Sequence, residues 1–152
     1  MKTCRDVMTP DPVCCLPEDT VDQVAQIMKR ENVGSVPVVS SHHSNRLIGI
    51  VTDRDLAMNV VAKGRDTRQT VAESVMTPNP YVCQSDDSLQ AALNIMSESQ
   101  VRRIPIVEED GRIVGIIAQA DIATRAEDSE RTAEVVEQIS QPVATSSLHT
   151  LS

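Results

Sequence analysis

The chain has 152 residues, 40% hydrophobic and 24% charged, and its 14 Lys and Arg against 22 Asp and Glu leave a net charge of −8. An acidic chain with one aromatic residue, Tyr81, excludes the usual nucleic-acid readers, which need a basic face or several stacking platforms. No apolar run approaches the roughly 18 residues of a membrane span, and MKTCRDVMTP lacks the apolar stretch of a secretory signal, so a cytoplasmic chain with four reduced cysteines is expected.

In chain order, a short strand is expected at Val13 to Leu16, between Pro12 and Pro17. Thr20 then opens a helix, because Thr20 and Gln23 have capping-box spacing and Val21, Val24, Ala25 and Met28 form a helical apolar stripe. Two β-branched runs follow, Val36 to Val39 and Leu47 to Val51, separated as in a hairpin with a long polar loop. A short helix starts near Asp53, and GRDTRQT (64–70) is a polar linker. The order then recurs: a helix capped by Ser88 with Leu89, Ala92, Leu93 and Met96 as its stripe, strands at Ile104 to Val107 and Ile113 to Ile117 around an Asp110-Gly111 turn, and a helix near Gln119.

The recurrence is a true repeat. The 33 residues from Val7 align with those from Val75 at an offset of 68, and RLIGIVTDRDLA from Arg46 aligns with RIVGIIAQADIA from Arg112 at an offset of 66; 17 of the 45 pairs are identical. One β-α-β-β-α unit is therefore used twice. The expected fold is α/β (α+β): two repeats packed about a pseudo-twofold axis, plus a C-terminal helix. The expected boundaries are 7–63 for the first repeat, 64–74 for the linker, 75–126 for the second repeat, 129–140 for the helix and 141–152 for a Ser/Thr-rich disordered tail. Packing two such halves implies a cleft with two related, unequal pockets.

VMTPxP at Val7–Pro12 and Val75–Pro80, the xVPVV and xIPIV strands, and GIVTDRD at Gly49–Asp55 together resemble a tandem pair of cystathionine-β-synthase (CBS) domains, a Bateman module. The resemblance covers about Arg5 to Ala126, and the chain is also similar to small stand-alone CBS pairs of the hypoxic-response type. It implies a non-catalytic regulatory module that binds AMP, ADP, ATP or S-adenosylmethionine. It further implies a homodimer with no catalytic residues and no resident cofactor. Cys4, His42 and His43 lack zinc-like spacing, so no metal is expected, and with no catalytic or DNA-binding domain attached the chain is expected to act in trans on an unidentified protein target. The apolar Leu56, Val60 and Val61 on the first short helix suit a dimer surface. The alternative is a ligand-independent dimeric scaffold for stress response or protein interaction, with thiol or metal chemistry.

The family's ribose-phosphate signature falls on Gly49-Ile50-Val51-Thr52-Asp53-Arg54-Asp55; the second copy keeps Asp121 but has Ala118 in place of the hydroxyl. A threonine hydroxyl and free N–H groups at a helix mouth suit a phosphate, and a carboxylate accepts from vicinal ribose hydroxyls. The same Thr-x-x-Asp spacing also makes a capping box that needs no ligand. By the family's rule, Thr52 and Asp55 face Arg102, Arg103, Ile104 and Pro105, with the arginines on phosphate and Ile104 and Pro105 beside adenine; Asp121 faces Val36 and Pro37. The first of these pockets is the better suited to a phosphorylated ligand. Tyr81 reads as a partly buried packing residue or a base-stacking one, and Cys15 and Cys83 occupy equivalent positions that suit small buried side chains.

Overall fold

The computed structural model describes residues 2–125; the expected terminal helix and tail lie outside them. The described elements are α1 (Cys4–Val7), β1 (Thr9–Pro10), α2 (Val21–Glu31), β2 (Ser35–Val39), β3 (Leu47–Thr52), α3 (Asp53–Leu56), β4 (Thr77–Pro78), β5 (Cys83–Gln84), α4 (Leu89–Ser99), β6 (Arg103–Val107), β7 (Ile113–Ala118) and α5 (Gln119–Arg125). A π-helical turn, Ala57–Val61, continues α3, and a 3-10 turn spans Ala72–Ser74. The fold is the mixed α/β tandem repeat expected. Among the described residues no helix is long and apolar enough to cross a membrane.

The chain forms two compact units. The first-repeat unit holds Pro12–Pro80 and Asp110–Ile113, and the second-repeat unit holds residues 2–11, Tyr81–Glu109 and 114–125. The units thus exchange arms relative to the repeats. In the first-repeat unit, β2 and β3 form the predicted antiparallel hairpin, with Val36 opposite Val51. Its other edge is taken by β4, with Thr77 opposite Ile50 and Pro78 opposite Gly49. In the second-repeat unit the strand order is β1-β7-β6-β5, and Thr9 lies opposite Ile116, Pro10 opposite Gly115. Each Met-Thr-Pro segment therefore pairs with the last strand of the other repeat.

Both exchanges need a glycine. A β-carbon at Gly49 would lie 2.5 Å from Met76 Sδ and 3.0 Å from the Thr77 carbonyl oxygen; one at Gly115 would run into Met8 Sδ and lie 3.0 Å from the Thr9 carbonyl oxygen. The first strand expected at Val13 to Leu16 reduces to a single parallel bridge between Cys15 and Val38. Flanking prolines, which lack a donor, limit its ladder. The matching position in the second repeat, Cys83 opposite Ile106, begins the two-residue β5.

Capping follows the sequence. Thr20 accepts from Gln23 N–H at 3.2 Å while Gln23 Oε1 accepts from Thr20 N–H at 2.8 Å, and Ser88 caps α4 through Ala91 N–H at 3.1 Å. The linker does more than span: Thr70 and Thr67 carbonyls accept from Val21 and Asp22 N–H at 2.9 and 3.1 Å, satisfying donors of the first turn of α2. Each unit has its own core. Val24, Val36, Val38 and Val51 anchor the first, and Leu93, Met96, Ile104 and Ile117 the second. Met96 is fully buried, and Met28 packs partly buried against the other core.

Two substitutions test these local causes. Thr20→Ala should lower unfolding free energy by about 1 kcal/mol through loss of the cap. Gly49→Ala should cost about 1–3 kcal/mol through overpacking against β4. Urea denaturation monitored by circular dichroism measures both.

Candidate functional site

β3 delivers Thr52 to the start of α3, where its extended backbone makes it the N-cap. Asp55 N–H donates to Thr52 Oγ1 at 3.1 Å, and Thr52 N–H donates to Asp55 Oδ2 at 2.9 Å. The capping box is therefore complete. Asp53 N–H donates to the Gly34 carbonyl at 2.9 Å, and Arg54 N–H to Asp53 Oδ1 at 2.8 Å. The N–H groups of Asp53, Arg54 and Asp55 thus all have partners, contrary to the free helix mouth expected from the sequence. Because regular α3 is only four residues long, its macrodipole is also weak. An anion placed here would meet side chains rather than free main-chain donors.

The box leaves chemistry available. Thr52 Oγ1 uses a lone pair, so its O–H proton is still to be donated. Asp55 uses Oδ2, and a carboxylate has a second oxygen to accept with. Both residues are half-buried, so the cap fixes them in place without sealing them off. On the neighbouring strand of this unit, Ser35 lies opposite Thr52, while Val36 and Pro37 are buried, Val36 within the core.

The second-repeat unit builds the corresponding corner differently. Ala118 supplies no hydroxyl, and Asp121 is half-buried in the first turn of α5. Gln119 N–H donates to the Arg102 carbonyl at 2.8 Å, the counterpart of the Asp53–Gly34 bond. Arg102 Nη1 in turn donates to Gln119 Oε1 at 2.9 Å, with Gln119 itself only 8% exposed. Arg102 Nη2 is buried, and among the described residues it has no hydrogen-bond partner. A buried cationic donor left unpaired is costly, and an anion is its natural complement. Arg103 begins β6 half-buried, whereas Ile104 and Pro105 are buried and Ile104 is part of the core. Sequence reasoning missed Gln119 as the residue that orients Arg102. The only available signal was the Gln standing where the first repeat has Asp53.

Thr52, Asp55, Val36 and Pro37 thus belong to one unit, and Arg102, Arg103, Ile104, Pro105 and Asp121 to the other. Tyr81 is 61% exposed, not partly buried as a packing residue would be. It lies just after the Pro80 that ends one unit's segment, before the chain enters β5. Of the apolar residues suited to a dimer surface, Val60 is instead core and Leu56 packs against it, while Val61 and its neighbour Met58 are 74% and 51% exposed. Among the described residues, no three His, Cys, Asp or Glu side chains gather as metal ligands.

The CBS domain model matches residues 4–62 and 71–128, and the chain belongs to this family. Hypoxic response protein 1 of Mycobacterium tuberculosis is 36% identical over 123 residues, 81% of this chain and 84% of that protein. A crystal structure of Hypoxic Response Protein I with two coordinated zinc ions superposes with a TM-score of 0.72 at 35% identity, covering 81% of this chain and 98% of that one. CBSX2 of Arabidopsis thaliana in complex with AMP gives a TM-score of 0.70 at 26% identity over 86% of this chain and 100% of that one. The CBS pair of protein MJ0100, in complex with methylthioadenosine and S-adenosyl-L-methionine, gives 0.72 at 25% identity over 82% of this chain and 94% of that one.

The capping role of Asp55 is separable from any ligand role. Asp55→Ala should lower stability by about 1 kcal/mol. Asp55→Asn, whose amide oxygen can still accept from Thr52 N–H, should stay within about half of that. Guanidinium denaturation of both variants reads the difference.

Proposed function

We propose that this chain is a non-catalytic sensor of an adenosine-containing ligand, with phosphorylated adenosine the best fit. The observation that carries the reading is the buried Nη2 of Arg102, which has no hydrogen-bond partner among the described residues. Its partner atom Nη1 is clamped by Gln119 at 2.9 Å, so the guanidinium is held in one orientation before any anion arrives. Preorganisation of this kind lowers the ordering cost of binding. In this reading Arg102 and Arg103 neutralise phosphate. Thr52 donates through its hydroxyl, and Asp55 accepts from a ribose through the oxygen its cap does not use. The AMP complex of CBSX2 and the adenosine-type ligands of MJ0100 support the ligand class.

Asp121, with no hydroxyl beside it, is assigned a weaker sugar contact, and Val36 and Pro37 an apolar one. Ile104 and Pro105 are assigned the apolar wall beside adenine. The chain supplies no catalytic step in this reading. Binding acts by favouring one conformation over another, and so alters affinity for a second copy or for a target protein in trans. Exposed Val61 and Met58 suit contact with a second copy.

Calorimetric titration with AMP, ATP, S-adenosylmethionine and unphosphorylated adenosine tests the reading. Saturable binding of AMP or ATP is expected. Arg102→Met should weaken the nucleotides at least tenfold, about 1.4 kcal/mol or more, and leave adenosine within twofold. Asp55→Asn should weaken every ribose-bearing ligand. A ligand at 100 times its dissociation constant should raise stability by about 2.7 kcal/mol. Failure of all four compounds to bind the folded protein would overturn the proposal.

A further inference from the structure

The second-repeat unit contains a dithiol that its counterpart lacks. Cys4, on α1, and Cys83, on β5, are 0% and 3% exposed within one core. Cys4 Sγ donates to the Ser88 carbonyl at 3.8 Å, and the two thiols are near enough to shift each other's ionisation. The main chain brings them together: Cys4 N–H donates to the Asp87 carbonyl and Arg5 N–H to the Ser85 carbonyl, both at 2.9 Å, and Thr3 bridges Ser88. The repeat supplies an internal comparison. At the 68-residue offset Cys83 corresponds to Cys15 and Cys4 to Ala72, and Cys15 and Ala72 share the core of the first-repeat unit. The fold therefore needs only a small residue at the Cys4 position. The second sulfur is an addition that packing does not require.

We infer that Cys4 and Cys83 are a redox modification site, closed by a peroxide into a reversible intrachain disulfide. The Cys83 sulfur attacks one oxygen of hydrogen peroxide, the O–O bond breaks, and a sulfenic acid and water result. The Cys4 sulfur then attacks the sulfenic sulfur; the S–S bond forms, the S–O bond breaks, and the oxygen leaves as a second water carrying the thiol proton. Overall two thiols are oxidised by two electrons and the peroxide is reduced to two waters. Cys83 attacks first because its neighbour Cys4 lowers its thiol's pKa, whereas Cys83 and burial push that of Cys4 well up. Cys14 and Cys15 have no such activation: burial pushes them up to about 11 and about 12. Because both reacting sulfurs are buried, the reaction takes a small oxidant and brief release of the short α1 segment. The bond would tie the N-terminal arm, whose β1 forms an edge of the sheet, to β5.

The test treats the full chain with hydrogen peroxide at neutral pH, blocks remaining thiols under denaturing conditions, and maps peptides by mass spectrometry without reduction. Two of the four thiols should disappear, a peptide pair joining Cys4 to Cys83 should appear two mass units light, and dithiothreitol should restore both. The thermal midpoint should rise on oxidation. Cys4→Ala, which places in this unit the residue native to the other, should fold, show no such rise, and accumulate a dimedone-reactive sulfenic acid at Cys83. Four thiols remaining after treatment, or a crosslink through Cys14 or Cys15 instead, would overturn the inference. Neither result bears on nucleotide binding, which is measured on the reduced protein.

Discussion

The structure depends on the close approach of two Met-Thr-Pro arms to two bare strand positions. Gly49 and Gly115 each meet a methionine sulfur and a threonine carbonyl oxygen from an arm of the opposite repeat. At these distances even a methyl group forces the arm away. The remaining pairings are ordinary for sheets of this size, but β1 and β4 are two residues long and carry proline. Such short strands hold little by themselves. Their place in the sheet comes from steric permission at the glycine and from the methionine packing beside it.

The same corner of the fold serves different ends in the two units. In each, the first N–H of the helix after the last strand closes back onto the residue just before the middle strand: Asp53 onto Gly34, and Gln119 onto Arg102. Where that residue is glycine there is no side chain to offer. Where it is arginine, the helix contributes a glutamine that holds the guanidinium. Thr52 and Asp55 give one corner a hydroxyl and a carboxylate; Ala118 and Asp121 give the other only the acid. Divergence of the copies is thus chemical, while the main-chain geometry is kept.

Much of the fold was legible in the residues because its signals are local. Caps at Thr20 and Ser88, the stripes from Val21 and Leu89, and the β-branched runs each fix an element within a few positions. The exchange of arms was not legible, since a two-residue strand with a proline has no periodicity to read. Its trace is that the 68-residue offset continues upstream, pairing the Thr3–Ser88 and Val71–Thr20 bridges. The site was legible in part. Thr52 and Asp55 stood out by spacing, but spacing alone does not show that the nearby N–H groups are already satisfied. Nor does it show that Arg102 has one nitrogen sealed from water. The contact of Cys4 with Cys83 joins positions 79 residues apart and is visible only once the arm is seen in the sheet.

The traded arms make duplication obligatory. A half-molecule ending before residue 64 would carry β1 but not β4, leaving β3 with an open margin and β1 with nothing to lie against. Two such halves would satisfy one another only by reciprocal swapping, as separate chains do when they share an element. Joining them in one polypeptide converts that bimolecular encounter into an intramolecular one. Once joined, either copy can shed a side chain or acquire a new one, as the glycine-to-arginine and alanine-to-cysteine differences show, provided its arm continues to fit the other's strand.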